Sequence, residues 1–190
     1  MSTRLRFTAI SLAALAMFAV STSSWSANPL GLKSVCADCE YQLGVGETYH
    51  FWGTTGAAVV PLTVSWARNR YELGIFRFAG EQTMPYPGLD GERAMADPYW
   101  GVSLSRRWQL IDRGPVKAFF GFGLSYKTQS DELNATRLNF ASQLGLRMRL
   151  PLRNVSSALE LTMRHWSNAG LKLPNHGQDF ATLTVRFDMS

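Results

Sequence analysis

From Glu40 onward, hydrophobic residues recur at every second position, in runs separated by turn-forming residues. Tyr41, Leu43 and Val45 alternate with Gln42, Gly44 and Gly46. Val60, Leu62, Val64 and Trp66 alternate with Pro61, Thr63, Ser65 and Ala67. Tyr71, Leu73 and Ile75 face away from Glu72 and Gly74, although Phe76 and Phe78 blur that run. Trp100, Val102, Leu104 and Trp108 form a fourth, with Arg106 out of keeping. Val116 to Tyr126 and Phe140 to Leu150 give a fifth and a sixth. Leu159, Leu161 and Met163 lead to His165 and Ser167 in the seventh. Ala181, Leu183, Val185, Phe187 and Met189 make the eighth and cleanest. A period of two is the signature of β-strands with one buried or apolar face.

Eight strands of about ten residues have the length of tilted transmembrane β-strands. The connections sort by end. Those at 68–70, 110–115 and 151–156 are short, whereas the others are longer, above all 81–97 with its Pro and Gly residues. Short turns at one end and long loops at the other are the layout of outer-membrane barrels. The fold expected is therefore all-β: an eight-stranded antiparallel transmembrane β-barrel of the outer membrane.

A soluble ligand-carrying barrel has the same periodicity with the faces exchanged. Two features favour the membrane version. Gly44, Gly46, Gly74, Gly121, Gly123 and Gly145 all lie on the polar face, as a crowded, narrow interior requires. Glu72, Arg147, Arg149, Glu160 and Arg164 share that face and can pair inside it. The interior of so small a barrel is filled by side chains, which argues against a pore.

The first residues read as a processing signal. Arg4 and Arg6 form a basic start, Ala9 to Val20 is an apolar run, and small residues follow at Ser21 to Ser26. Residues 1–26 are expected to be a signal peptide cleaved near 26/27, 27–39 an N-terminal periplasmic segment, and 40–190 the barrel. No later stretch offers the roughly 18 apolar residues of a spanning helix. The formal charge is +5 over 190 residues, and the signal takes two arginines with it. That modest excess does not by itself argue for nucleic acid, export argues against it, and the charge would suit a surface rich in phosphate. Cys36 and Cys39, the two cysteines, precede the first strand and can form a local disulfide in an oxidising compartment. His50, His165 and His176 show no metal-ligand spacing, so neither metal nor cofactor is expected.

Parity then isolates a site. His165 and Ser167 leave the same face as Leu159, Leu161 and Met163, and Asp179 has the parity of Ala181, Leu183 and Val185. Strands seven and eight are antiparallel neighbours, so Asp179 begins one near where His165 and Ser167 end the other. Polar groups on an apolar wall cost desolvation unless they satisfy one another. An acid–histidine–serine relay does so, with the carboxylate orienting the imidazole and the imidazole taking the serine proton. The plainer alternative is that the three mark the level where strands reach the lipid headgroups. Asn168 and the loop Pro174-Asn175-His176-Gly177 also read as ordinary turn chemistry.

Arg164-His165-Trp166-Ser167-Asn168-Ala169-Gly170, followed by Pro174-Asn175-x-Gly177 and an acid at 179, resembles the PagL-type lipid A 3-O-deacylases. The resemblance is most specific over residues 159–187 and otherwise rests on architecture. It implies Ser167 as nucleophile, His165 as base, Asp179 as the acidic member and Asn168 as the oxyanion or positioning residue. The family's acid is more usually Glu, so Asp179 is one methylene shorter. The implied reaction is hydrolysis of the 3-position ester of lipid A at the outer leaflet, with release of a 3-hydroxy fatty acid. Lipopolysaccharide is then the substrate, and homodimer formation is left open. Arg93, Lys127, Arg137 and Lys172 are candidates to meet lipid A phosphates, and Trp52, Trp66, Trp100, Trp108 and Trp166 to form interfacial girdles, although Trp166 has inward parity and could pack under the site. A phospholipase, another acyl-modifying barrel and a non-catalytic barrel are the alternatives.

Overall fold

Alternation and turn chemistry close the chain into a barrel in the computed structural model, which describes residues 38–50, 53–80, 82–83, 93–95, 98–131, 133–151 and 157–188. The signal-peptide expectation, Cys36, Trp52 and residues 189–190 lie outside the described residues. Cys39 is disulfide-bonded. The strands are β1 (Glu40–His50), β2 (Gly53–Trp66), β3 (Tyr71–Ala79), β6 (Tyr99–Arg113), β7 (Val116–Lys127), β8 (Leu138–Leu150), β9 (Ser157–Ser167) and β10 (Gln178–Asp188). Two short strands, β4 (Gln82–Thr83) and β5 (Arg93–Met95), pair with each other within the β3–β6 connection. The eight long strands close in the order β1-β10-β9-β8-β7-β6-β3-β2, every pair antiparallel.

All eight expected strands are present, and their apolar faces point outward. Leu62, Leu73, Leu104, Leu124, Leu144, Leu161 and Leu183 are exposed on the outer wall, while Thr63, Glu72, Ser103, Ser125, Gln143, Glu160 and Thr182 are buried within. This is the sidedness of a barrel bathed in lipid, opposite to that of a soluble carrier. Two connections differ from expectation. The β1–β2 link, expected to be long, shrinks to residues 51–52 because β1 runs on to His50 and β2 starts at Gly53. The 110–115 turn narrows to Gly114 and Pro115 because β6 continues to Arg113.

The lumen is packed in two layers. Toward the turn end lies an ion-pair network. Arg107 bridges Glu72 and Glu160, the latter at 3.0 Å. Arg147 binds Glu160 at 2.6 Å, and Arg164 binds Glu72 at 2.8 Å and Gln143 at 2.5 Å. Glu72, Arg147, Glu160 and Arg164 pair as their shared face suggested. Arg107 joins them unforeseen, and Arg149 is instead exposed, because it lies near the end of β8 where the lumen opens. Arg106, out of keeping in sequence, points outward with its guanidinium 5.2 Å from the Trp108 ring centre.

Toward the loop end the lumen is aromatic. Phe76, Phe78, Tyr99, Trp166 and Phe180 are all buried in one cluster. Phe78 stacks on Tyr99 at 4.5 Å, and Trp166 meets Phe180 edge-on at 5.1 Å. Phe76 and Phe78 blurred the alternation because they are core residues on the inward face. Trp166 belongs to this plug and not to a girdle, whereas Trp100 and Trp108 are exposed on the outer wall. Gly101 makes room for the plug: a Cβ there would meet Trp166 Cζ3 at 2.5 Å.

Removing one partner from a buried ion-pair network leaves uncompensated charge, at a cost of roughly 3–5 kcal/mol. Glu160→Ala strips Arg147 of its carboxylate and leaves Arg107 with Glu72 alone. It should markedly lower the urea midpoint for unfolding of the detergent-solubilised barrel, whereas Leu161→Ala on the lipid-facing side of the same strand should shift it far less. Equal midpoints for the two variants would contradict this account of the lumen.

Candidate active site on the outer wall

The wall that carries the site is stiffened from behind. Trp166, between His165 and Ser167, and Phe180, next to Asp179, both point into the aromatic plug and contact each other there. Alternation therefore sends His165, Ser167 and Asp179 to the opposite, outer face. Antiparallel pairing puts Asp179 of β10 directly opposite His165 of β9. Their side chains meet, with Asp179 Oδ1 2.7 Å from His165 Nδ1. A carboxylate can only accept, so Nδ1 carries the hydrogen, and in the neutral ring Nε2 keeps a lone pair. The carboxylate is 6% exposed and the imidazole 45% exposed. The acid is thus shielded from water while the ring faces outward. Asp179 is also flanked in register by Tyr49 of β1. One methylene shorter than glutamate, the aspartate still reaches the ring.

Ser167, half-buried at the end of β9, lines one groove with His165, Ala169, Ser142, Phe140 and Phe122. The groove has a volume of about 360 Å³. Phe122 and Phe140 stack at 6.0 Å to form its apolar flank. The apolar flank can hold a hydrocarbon chain beside the serine and the oriented imidazole.

The loop 168–177 is built around asparagines. Asn168 is 2% exposed. Its Nδ2 donates to Lys172 O (2.8 Å) and Asn134 Oδ1 (3.4 Å), its Oδ1 accepts from Gly170 N (3.0 Å), and its backbone N–H donates to Asn175 Oδ1 (3.0 Å). Asn134, in the loop between β7 and β8, also donates to Trp166 O at 3.3 Å. It therefore grips the residues on both sides of Ser167. The two loops are further joined by Ala135 N–H to Pro174 O (3.1 Å) and His176 N–H to Leu133 O (2.8 Å). Gly177 closes the arrangement. Its φ of +81° is a left-handed conformation. Its Cα faces the imidazole so closely that a Cβ would clash with His165 Cε1 and lie 3.1 Å from Nδ1.

Sequence reading missed Asn134 and took Gly177 for turn chemistry. The glycine of the Pro174-Asn175-x-Gly177 stretch was the available signal, whereas nothing local marks Asn134. Of the cations expected near phosphate, Arg137 and Lys172 are exposed at this end of the barrel. Lys127 is not available there: it is buried and paired with Asp131 at 2.8 Å, because its inward parity takes it into the lumen. The side chain of Arg93 lies outside the described residues. Among the described residues, no group of three or more His, Cys, Asp or Glu gathers to hold a metal.

Architecture and site together define an outer-membrane β-barrel with a hydrolase-like acid–histidine pair on its outer wall. The model of the lipid A 3-O-deacylase (PagL) family matches residues 40–188, and the chain belongs to that family. The crystal structure of the outer membrane enzyme PagL is similar in fold, with a TM-score of 0.54 and 16% identity over 79% of this chain and 99% of that one. Weaker likenesses are to Neisserial surface protein A (TM-score 0.45, 14% identity, 78% of this chain and 94% of that one) and to the N-terminal β-barrel domain of Pseudomonas aeruginosa OprF (TM-score 0.45, 11% identity, 80% and 97%). No curated protein matches the chain.

Misplacement of a catalytic group by about 1 Å can cost on the order of 100-fold in rate. Gly177→Ala pushes against His165 from the loop side and should lower ester hydrolysis by about that factor. The heat-dependent gel shift of the folded barrel should be retained. Undiminished hydrolysis by folded Gly177→Ala would show that the loop does not set the ring's position.

Proposed function

We propose that the protein hydrolyses the ester at the 3-position of lipid A and releases a 3-hydroxy fatty acid, acting from the outer leaflet through Ser167, His165 and Asp179. The observation that carries this reading is the 2.7 Å contact between His165 and Asp179 on the outer wall, with Ser167 on the same face of the same groove. A lipid reaches such a site sideways within the membrane, its acyl chains along the apolar wall and its sugar at the loop end. Arg137 and Lys172, exposed at that end, are placed to meet the phosphates.

In the first step Ser167 Oγ attacks the ester carbonyl carbon as His165 Nε2 takes the hydroxyl proton. Asp179 stabilises the imidazolium and keeps its orientation. The tetrahedral intermediate collapses with cleavage of the bond to the sugar oxygen, which receives the proton from Nε2. Water then attacks the acyl-serine with His165 again as base, and the fatty acid leaves as Ser167 is restored. The oxyanion needs fixed donors at the serine end of the groove. We assign this to the turn after Ser167, where Ala169 borders the groove and Asn168 holds the turn in shape. Asn168 thus acts on the oxyanion through positioning.

Mass spectrometry of lipid A incubated with the detergent-solubilised protein tests this reading. The wild type should remove one 3-hydroxyacyl group, and Ser167→Ala should remove none. Asp179→Asn should slow the reaction by up to about 10,000-fold, since the amide no longer enforces the correct tautomer. Equal loss with Ser167→Ala would assign the nucleophile elsewhere. Loss of acyl chains from phospholipid, with lipid A left intact, would make the protein a phospholipase.

A further inference from the structure

The outward face of β8 reads Leu138, Phe140, Ser142, Leu144, Leu146, Met148 and Leu150. Ser142 is the one polar residue in that run. It is also the residue paired directly with His165 across the β8–β9 ladder, and it lines the groove beside Ser167. Phe122, its cross-strand partner on β7, and Phe140, two residues before it, shut it in on the apolar side. A hydroxyl amid lipid-facing side chains is disfavoured unless a polar group meets it there. The site's own asymmetry adds to this. Asp179 takes the Nδ1 side of His165 from β10, and Ser142 stands on the opposite side of β9.

We infer that Ser142 is a specificity residue that recognises the 3-hydroxyl of the acyl chain being cleaved. This rests on the proposed deacylase reading and deepens it. Ser167 pairs with Phe140, so Ser142 is its diagonal neighbour across the ladder. Diagonal positions are about 7–8 Å apart at Cα and closer at the side chains. The 3-hydroxyl stands two carbons from the ester carbonyl that Ser167 attacks. A carbonyl held at Ser167 Oγ therefore brings that hydroxyl over β8 at the level of Ser142, while the rest of the chain continues past Leu144 along the outer wall. The serine hydroxyl donates to or accepts from the acyl hydroxyl, and a chain lacking that group leaves Ser142 facing hydrocarbon.

The test uses two synthetic glucosamine 3-O-esters of equal chain length, one 3-hydroxyacyl and one plain acyl, with the full-length protein in detergent. Wild type should favour the hydroxylated ester in kcat/KM by about fivefold or more. Ser142→Ala should bring the ratio close to one, by lowering kcat/KM for the hydroxylated ester more than for the plain one. Ser142→Thr, which keeps the hydroxyl, should retain the preference, and the heat-dependent gel shift identifies folded variants. Equal kcat/KM for both esters with the wild type, or an undiminished preference in folded Ser142→Ala, would overturn the inference. Loss of all hydrolysis in Ser142→Ala alongside survival in Ser167→Ala would also overturn it, by making Ser142 the nucleophile. Cleavage of neither ester by the wild type would instead remove the deacylase reading itself.

Discussion

Backbone amides and carbonyls find no water in the hydrocarbon layer, so a strand crossing it must pair on both edges. In this chain β1 meets β10 over ten register pairs and the sheet has no free edge. Closure at eight strands leaves a lumen only side chains wide. Everything inward must then fit and be neutralised, which is what the arginine–glutamate network and the aromatic plug accomplish in separate layers. The division has a consequence for chemistry. The charged layer lies toward the turns, away from the site, while the dry aromatic layer stands directly behind it. Trp166 and Phe180 fix β9 and β10 against each other from inside, so the faces bearing His165 and Asp179 are held without any help from the substrate.

The same closure decides how a substrate can approach. The lumen is occupied, so a substrate of the proposed kind meets the outer surface, which is mostly exposed aliphatic and aromatic side chains. A polar group there is tolerable only near the boundary where the strands leave lipid. His165, Ser167 and Asp179 sit at the loop ends of their strands. An acyl-enzyme mechanism needs hydrocarbon to hold the chain and water to release it.

Most of the barrel was legible in the sequence because alternation in a two-sided environment allows little ambiguity of face. It failed where both parities were apolar, as at Phe76 and Phe78, and where adjacent residues carried the same charge. Arg106 drew attention by breaking the outward run, yet Arg107 beside it holds Glu72 and Glu160 together. The β1–β2 link was misjudged because clear alternation begins only at Val60, whereas pairing with β1 carries Gly53 and Thr54 into the sheet. At the site, parity and neighbouring strands were enough to join His165, Ser167 and Asp179 on one face. The clamp of Asn134 on Trp166 and Asn168 was invisible because it links positions more than thirty residues apart, through single amide groups with no periodic signature.

An aspartate is the shorter of the two acidic side chains, and its contact with His165 depends on how closely the strands bring the pair together. The register sets that distance. Directly opposed residues of an antiparallel pair have Cβ atoms about 4.5–5.5 Å apart. Nδ1 and Oδ1 each lie two bonds beyond Cβ, so two short arms span that gap, as the 2.7 Å contact shows. A longer acid would have to fold back or approach from a displaced position. With aspartate, the contact has little slack and depends on the pairing of Asp179 with His165 being held in place. That places unusual weight on the residues that fix the strand ends: Gly177 against the ring, Asn175 on the backbone of Asn168, and Asn134 across both loops. The short side chain and the tight loop belong to one arrangement, in which backbone register supplies the reach to the ring.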